Sequence, residues 1–112
     1  MLSLKDLSYL VALEELGHFG KAAEASYVSQ PTLSGQLKKL ERQLGMKLIE
    51  RVSKKIMLTH VGLEIAQRAK VMVLQAHEME EFARAAKAPL TGRLRLAIKL
   101  GAYQVSLYCQ LT

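Results

Sequence analysis

The start of one predicted helix carries side chains of the types that bind nucleic acids. The amide of Gln30 can bond to the N6/N7 edge of adenine, and Thr32 can offer a hydroxyl to a base or a methyl group to thymine. Ser34 and Lys38 lie four residues apart, on one helix face that suits a phosphate or base edge together with a backbone charge. Pro31 either packs on a thymine methyl or only initiates the helix. These residues predict contact with a DNA major groove; the alternative for Gln30 is an ordinary solvated glutamine.

Further candidate contacts lie on both sides of this helix. Arg51, Ser53 and Lys54 fall in a basic segment that would reach an adjacent minor groove or its phosphates. His18 either touches a phosphate at the start of the preceding helix or is a half-buried neighbour of Phe19. Because phosphate contacts carry no sequence information, loss of one such charge should weaken binding to every sequence.

The charge of the chain is concentrated where these residues lie. The net charge is +6 and the pI is near 9.6, which alone says only that the surface favours polyanions. Residues 36–55 hold seven cationic side chains against two carboxylates, whereas residues 61–88 hold four of each sign. The basic excess therefore coincides with the candidate contacts, although Lys39, Arg42 and Lys55 are equally consistent with a solubilising surface.

No group of residues indicates an enzyme, a cofactor or a metal site. His18, His60 and His77 are scattered, and Cys109 is a single cysteine, which cannot form an internal disulfide. No carboxylate pair or glycine-rich phosphate loop falls in a recognisable motif. The N-terminus lacks a signal-peptide pattern, and no window approaches the roughly 18 apolar residues of a membrane span. We therefore predict a cytoplasmic protein with no cofactor and no membrane partner.

Three helices are predicted to position the candidate contacts. Apolar residues recur at helical spacing in Leu4 to Leu16, in Phe19 to about Tyr27, and in Ser29 to Leu44. In the third helix a row of leucines faces the core, at positions 33, 37, 40 and 44. Ser29 can accept backbone N–H bonds as the N-cap and is also a candidate DNA contact, and Gly45 ends the helix.

A wing and a long helix are predicted to follow. Two short β-prone runs, Leu48 to Val52 and Ile56 to Thr59, predict a two-stranded hairpin with a basic tip. Thr59 should cap a helix that continues to about Ala88, where Pro89 stops it.

Seven residues of the long helix are spaced alternately by four and three, as in a heptad seam; they are Ile65, Ala69, Met72, Ala76, Met79, Ala83 and Ala86. At about 1.5 Å per residue the helix is roughly 40 Å long, too long to pack wholly on the small body before it. We therefore predict a dimer contact through the seam, with Val71, Leu74 and Phe82 on flanking faces that could touch the body. The alternative is a single amphipathic helix packed within its own chain.

The motifs resemble the N-terminal domain of LysR-type bacterial transcriptional regulators. The resemblance covers residues 2–98 and is carried by Phe19-x-x-Ala22-Ala23, Val28-Ser29-Gln30-Pro31-x-Leu33-Ser34, Leu37-x-x-Leu40-Glu41-x-x-Leu44-Gly45 and Leu48-Ile49-x-Arg51. It implies a mainly α fold, in which a winged helix-turn-helix of three helices and a two-stranded β wing precedes a long linker helix. It further implies that the linker helix pairs antiparallel in a dimer and leads to a two-lobed α/β sensor domain that is missing from this chain.

Within the family, residues 9–13, 18–19 and 29–36 are similar to the peroxide-responsive members. The implied partners are double-stranded promoter DNA with a pseudo-palindromic site and a second copy of the chain, with tetramers and contact with RNA polymerase in the full-length regulator. Two features depart from the family. Gly35 stands where many relatives carry arginine, so sequence preference should differ, and residues 99–109 lack the proline-containing turn expected after the first sensor strand.

We therefore predict three parts. Residues 1–59 form the DNA-binding domain, residues 60–88 form the linker and dimerisation helix, and residues 89–112 form a hinge and the start of a truncated or absent effector domain. Two other classes of function stay open, namely a protein-interaction module that no longer reads DNA and a nonspecific architectural DNA binder.

Overall fold

The computed structural model describes residues 1–52 and 55–87. Within them the elements are α1 (Leu4–Leu16), α2 (Phe19–Ala25), α3 (Gln30–Leu44), β1 (Ile49–Val52), β2 (Lys55–Leu58) and α4 (His60–Ala86). The two strands pair antiparallel, with Ile49 opposite Leu58 and Val52 opposite Lys55. The predicted order of three helices, a hairpin and a long helix is confirmed for the described residues.

Capping residues set the ends of α1 and α3. The hydroxyl of Ser3 accepts hydrogen bonds from the first turn of α1, and the hydroxyl of Ser29 accepts one from the first turn of α3. Both helices end at a left-handed glycine, Gly17 with φ 64° and Gly45 with φ 66°. Because glycine has no Cβ, it adopts this conformation without the steric penalty of other residues. The predicted bounds of α1 are therefore exact, and those of α3 differ only in that Ser29 lies outside the helix.

The second helix is shorter than predicted. It ends at Ala25, and Tyr27 adopts a left-handed conformation with φ 58°, which costs a non-glycine residue roughly 1–2 kcal/mol. The amide of Val28 then donates to the carbonyl of Ala23 at 3.1 Å. These features form the tight turn that joins α2 to α3.

The core is formed by α1, α2 and α3 together with residues that follow them. Its largest fully buried side chains are leucines, at positions 10, 13, 33, 37, 40 and 48. Ala22 and Ala23 of α2 are 0% and 3% exposed, so their small side chains let the neighbouring helices approach closely. Burial of each leucine stabilises the fold by about 1.5–3 kcal/mol, and this core fixes which face of α3 remains outside.

The hairpin begins and ends one residue away from the predicted bounds. Leu48 lies just before the first strand; it is fully buried, and its amide donates to the Glu41 carboxylate of α3 at 2.8 Å, while its carbonyl accepts from the amide of Thr59 at 2.9 Å. Thr59 does not extend the second strand, because its hydroxyl donates to the carbonyl of Lys47 and accepts from the amide of Gly62. The predicted capping of the long helix by Thr59 is thus confirmed.

The face that α4 turns to the core differs from the predicted one. Gly62, Ala66 and Ala69 are buried, whereas Val71 and Leu74 are 57% and 54% exposed and Phe82 is 48% exposed. Val71 and Leu74, which the sequence placed on faces that could touch the body, are not among the residues packed against the core, because small residues on another side of the helix allow its close approach. The same expectation for Phe82 stays a prediction. Ala69, assigned to the dimer seam from the sequence, lies in the chain's own core, and Ile65 packs partly against that core.

The chain divides into two compact units, residues 1–74 and residues 75–112. In the second unit, the described residues 75–87 are the C-terminal turns of α4 and the residue after them. The predicted helix end at Ala88 and Pro89, the predicted strand at residues 94–98 and the tail lie outside the described residues. The three-part division made from the sequence stays a prediction. Among the helices described, none is long and apolar enough to cross a membrane.

Candidate nucleic-acid interface

Helix α3 has one buried side and one free side. Leu33, Leu37 and Leu40 are 0–1% exposed, while Gln30, Pro31 and Thr32 at its N-terminal turn are exposed. Because the leucines anchor the helix to α1 and α2, its first turn projects from the body. An exposed polar helix start of this kind is suited to enter a DNA major groove.

The hydroxyl groups at the start of α3 are engaged with one another. The Ser29 hydroxyl donates to Thr32 Oγ1 at 2.8 Å and accepts from the Thr32 amide at 3.2 Å. Ser29 therefore acts as the N-cap, and its hydroxyl proton is already used within the chain. Thr32 Oγ1 is the acceptor of this hydrogen bond, so the hydroxyl proton and the methyl group of Thr32 remain available to a ligand. Of the two predicted contacts, the geometry favours Thr32.

Gln30 and His18 both lie close to Gly20. A Cβ built at Gly20 would lie 2.9 Å from His18 Cε1 and 3.7 Å from Gln30 Oε1. The absence of a side chain at Gly20 therefore leaves room beside both the imidazole and the amide. The structure brings together these two predicted contact residues, which are twelve positions apart in the chain.

His18 is the N-cap of α2. Its Nδ1 accepts a hydrogen bond from the amide of Lys21 at 3.2 Å, and the residue is exposed. A neutral imidazole that accepts at Nδ1 carries its proton on Nε2, so Nε2 can donate to a phosphate. The alternative prediction of a half-buried histidine is wrong.

A cleft between α3 and strand β1 collects three predicted contacts. It has a volume of about 310 Å³ and is lined by Phe19, Ser34, Leu37, Lys38, Glu41, Lys47, Ile49 and Arg51. Ser34, Lys38 and Arg51 were predicted from the sequence as contacts, and all three reach this cleft. Ser53 and Lys54, predicted at the wing tip, lie outside the described residues.

Glu41 attaches the wing to α3. Its Oε2 accepts a hydrogen bond from the amide of Leu48 at 2.8 Å and a longer one from the amide of Ile49 at 3.4 Å. Carboxylate acceptors of this type form stronger hydrogen bonds than neutral groups do. The root of β1 is thus fixed to the helix that carries Gln30.

Arg51 is held on the aromatic ring of Phe19. Its guanidinium carbon lies 5.3 Å from the ring centroid, within the range of a cation–π interaction. Phe19 is only 5% exposed, so the ring is a rigid support. This contact brings the wing's cation over the start of α2.

Two ion pairs hold the helices in place. Lys39 Nζ lies 3.2 Å from Oδ2 of the buried Asp6, which joins α3 to α1. Lys70 Nζ lies 2.8 Å from Glu14 Oε2, which joins α4 to α1. The hydrogen bond to Glu14, as the largest cause, raises the pKa of Lys70 above its usual 10.5. From the sequence, Lys39 was equally consistent with a solubilising surface and with DNA contact. In the structure it pairs with Asp6.

Several of these contacts have no local signal in the sequence. The pairs Glu41 with Leu48, Phe19 with Arg51, and Asp6 with Lys39 join residues from different elements, so no local spacing predicts them. No three histidine, cysteine, aspartate or glutamate side chains of residues 1–52 and 55–87 come together as metal ligands.

The chain matches known proteins in sequence. Residues 4–63 match the model for bacterial regulatory helix-turn-helix proteins of the lysR family. A hydrogen peroxide-inducible genes activator of Pectobacterium carotovorum subsp. carotovorum is 40% identical over 97 residues, which are 87% of this chain. The matched part is 32% of that protein, so the chain spans about a third of the length of this curated relative.

Solved structures share the fold. Full-length OxyR from Pseudomonas aeruginosa is 43% identical with a TM-score of 0.75, over 79% of this chain and 30% of that one. A BenM DBD in complex with benA site 1 DNA is 34% identical with a TM-score of 0.70, over 79% of this chain and 100% of that one. The predicted winged helix-turn-helix class is confirmed by these neighbours, and the matched family consists of regulatory proteins rather than enzymes.

Proposed function

The chain belongs to the lysR family of bacterial regulatory helix-turn-helix proteins, and from this premise we propose that it binds a promoter sequence specifically as part of a transcription regulator. The observation that carries the proposal is the exposed turn Gln30–Thr32 on a helix whose opposite side is buried leucine. In this proposal α3 enters the major groove, and the wing lies toward the adjacent minor groove. A relative with the same fold, the BenM DBD, has been solved in complex with DNA, which supports DNA binding by this chain.

Base reading is proposed for the first turn of α3. Gln30 presents an amide that can bond bidentately to adenine, and each good pair of this type is worth about 1–3 kcal/mol of discrimination. Thr32 adds a free hydroxyl proton and a methyl group, and the exposed Pro31 can pack on a thymine methyl. Ser29 supports the turn as its cap.

Contacts with the sugar–phosphate backbone are proposed on both sides of α3. His18 offers Nε2 beside Gln30, while Ser34, Lys38 and Arg51 offer a hydroxyl and two charges at the cleft. Ser53 and Lys54 are proposed to extend this set on the wing. If each copy neutralises several phosphates, affinity should fall steeply between low and physiological salt.

We propose that two copies pair through α4. Ala69 is buried in the chain's own core and is not available to a partner. The seam continues beyond it through Met72, Ala76, Met79, Ala83 and Ala86. Met72 and Met79 are 46% and 72% exposed, so they are open to a partner. A symmetric pair would present two α3 helices to a pseudo-palindromic site.

Sedimentation tests the pairing. The double substitution Met72→Glu and Met79→Glu should give monomers, because four like charges would meet in an apolar seam. Leu74→Glu is the matched control, since Leu74 is 54% exposed on another side of α4 and should leave the mass unchanged. An unchanged mass in the double variant would remove the proposed interface.

Competitive anisotropy tests the DNA proposal. The chain is titrated with duplexes selected by it from a random-sequence pool, and then with scrambled versions of the recovered sequence. We expect selected duplexes to bind at least a hundredfold more tightly, since specific sites typically exceed nonspecific ones by about 10³–10⁷. Equal binding would indicate an architectural DNA binder, and no binding would indicate a protein-interaction module. The peroxide-inducible activator among the relatives makes promoters of peroxide-induced genes the first natural duplexes to test.

A further inference from the structure

We propose that the cleft between α3 and β1 seats one sugar–phosphate unit of the DNA backbone, and that Lys47 is a phosphate ligand there. This inference rests on the proposed function and specifies one of its contacts. Lys47 is exposed and lies in the loop between Gly45 and β1. It follows the end of α3, outside the helix start that reads bases.

The charge of the cleft favours an anion. Lys38, Lys47 and Arg51 line it against a single carboxylate, that of Glu41, for a net charge of +2. The negative charge of this carboxylate is partly compensated, because its Oε2 accepts hydrogen bonds from two backbone amides at the root of the wing. The cations are exposed, so the charge that a ligand meets is mainly positive.

The rest of the lining suits a sugar. Phe19 and Leu37 are buried and Ile49 is half-buried, and together they give the cleft an apolar floor. Ser34 adds a hydroxyl that can bond to a phosphate oxygen. The volume of about 310 Å³ is at the lower end of the roughly 300–1,000 Å³ typical of ligand pockets. A single sugar–phosphate unit, apolar on the sugar ring and anionic on the phosphate, fits both the size and the chemistry.

The location of the cleft favours a DNA strand over a free anion. One wall is α3, proposed for the major groove, and the other is β1 of the wing, proposed for the minor groove. A strand that separates these two grooves must cross the gap between the two elements. The two walls are fixed to each other by the hydrogen bonds of Glu41, and Arg51 is held at the rim by the ring of Phe19. The seat is therefore formed before DNA arrives, which lowers the ordering cost of binding.

The test combines a protein substitution with a change in the DNA. Lys47→Ala removes an exposed side chain, while the backbone carbonyl that accepts from Thr59 is retained, so the fold should persist. The probe is the duplex selected from a random pool, with a neutral methylphosphonate linkage placed at one position at a time. Lys5→Ala is the matched control, because Lys5 is an exposed lysine of α1 that does not line the cleft.

We expect Lys47→Ala to weaken binding roughly tenfold for selected and scrambled duplexes alike, as charge-assisted contacts of this kind do. The slope of log affinity against log salt should fall by about one. One linkage per half-site should weaken binding by the unmodified chain but have little further effect on the Lys47→Ala variant. Binding by the Lys5→Ala variant should remain as sensitive to that methylphosphonate linkage as binding by the unmodified chain.

Three results would overturn the inference. The first is a Lys47→Ala variant that keeps full sensitivity at every linkage. The second is an equal loss of affinity in the two lysine variants. The third is a titration with inorganic phosphate that shifts the Leu48 and Ile49 amide signals while no linkage of the duplex proves sensitive, which would identify a free-anion site. Failure of the proposed function is distinct, because the unmodified chain would then select no duplex at all.

Discussion

Substitution of alanine for Gly62 should destabilise the protein, whereas the same substitution at Gly35 should stabilise it. Neither glycine needs a positive φ, so the two sites differ only in the space around the added methyl group. At Gly35 nothing lies within 4 Å of the new Cβ. At Gly62 the new Cβ would overlap the carbonyl oxygen of Leu48 and lie 2.9 Å from its carbonyl carbon and 3.1 Å from its Cα.

The loss of stability expected for Gly62→Ala depends on which part of the structure has to move. Leu48 is fully buried, and its backbone is bonded to Glu41 at 2.8 Å and to Thr59 at 2.9 Å, so α4 rather than residue 48 has to shift. Overpacking by one methyl group costs about 1–3 kcal/mol, and weakening of the Thr59 cap adds about 1 kcal/mol. The better helix propensity of alanine offsets at most about 1 kcal/mol. The net loss should be about 2 kcal/mol.

At Gly35 only the higher helix propensity of alanine acts, so the free energy of unfolding should rise by about 0.5–1 kcal/mol. Urea unfolding of the full chain, followed by circular dichroism, measures both values. The two variants should therefore differ by about 3 kcal/mol, with midpoints on opposite sides of that of the unmodified chain. Equal midpoints, or a stabilised Gly62→Ala variant, would refute the close approach of α4 to Leu48.

Three further substitutions test contacts that hold the helices and the wing. Lys39→Ala should lower the free energy of unfolding by about 1–3 kcal/mol, since Asp6 Oδ2 is buried and has no other partner within residues 1–52 and 55–87; adding Asp6→Asn should restore part of the loss in urea titrations. Lys70→Met should lower the free energy of unfolding at pH 8, and the loss should shrink as the pH rises above 10.5. The hydrogen bond to Glu14 raises the pKa of Lys70 above 10.5 in the folded state, so the stabilisation by charged Lys70 is complete below pH 10.5 and is lost as the pH rises through the higher folded pKa. A stability difference between the two proteins that does not change with pH would contradict this. Glu41→Ala should accelerate amide hydrogen exchange at the root of β1 while leaving α1 protected.

Local signals in the sequence were sufficient for most of the secondary structure. A serine cap at one end and a glycine at the other fix α1 and α3 almost to the residue, because both act within a single turn of helix. The end of α2 was misjudged, since the left-handed Tyr27 has no side-chain signature of that conformation. The outer strand bounds differ by one residue from the predicted ones, since the amide of Leu48 is bonded to Glu41 of α3 and the hydroxyl of Thr59 caps α4.

The packing of α4 shows what periodicity omits. The heptad spacing is present in the sequence, but it does not determine which face of α4 packs against the core. Gly62 and Ala66 provide the close approach, and Ala69 is buried with them, so small residues outweigh the larger Val71 and Leu74 at the contact. The arrangement of the cleft was equally invisible, because Phe19, Glu41 and Arg51 meet there only after three elements have folded.

Base reading by the first turn of α3 is the property on which the proposed function depends most. The most direct measurement is the ratio of the dissociation constants for scrambled and selected duplexes, compared between the unmodified chain and Gln30→Ala. We expect this ratio to fall roughly tenfold or more, since a bidentate pair contributes about 1–3 kcal/mol of discrimination, while binding to scrambled DNA changes little. Lys54→Ala should instead weaken binding to both duplexes and leave the ratio unchanged. An unaltered ratio in Gln30→Ala would show that Gln30 does not read a base.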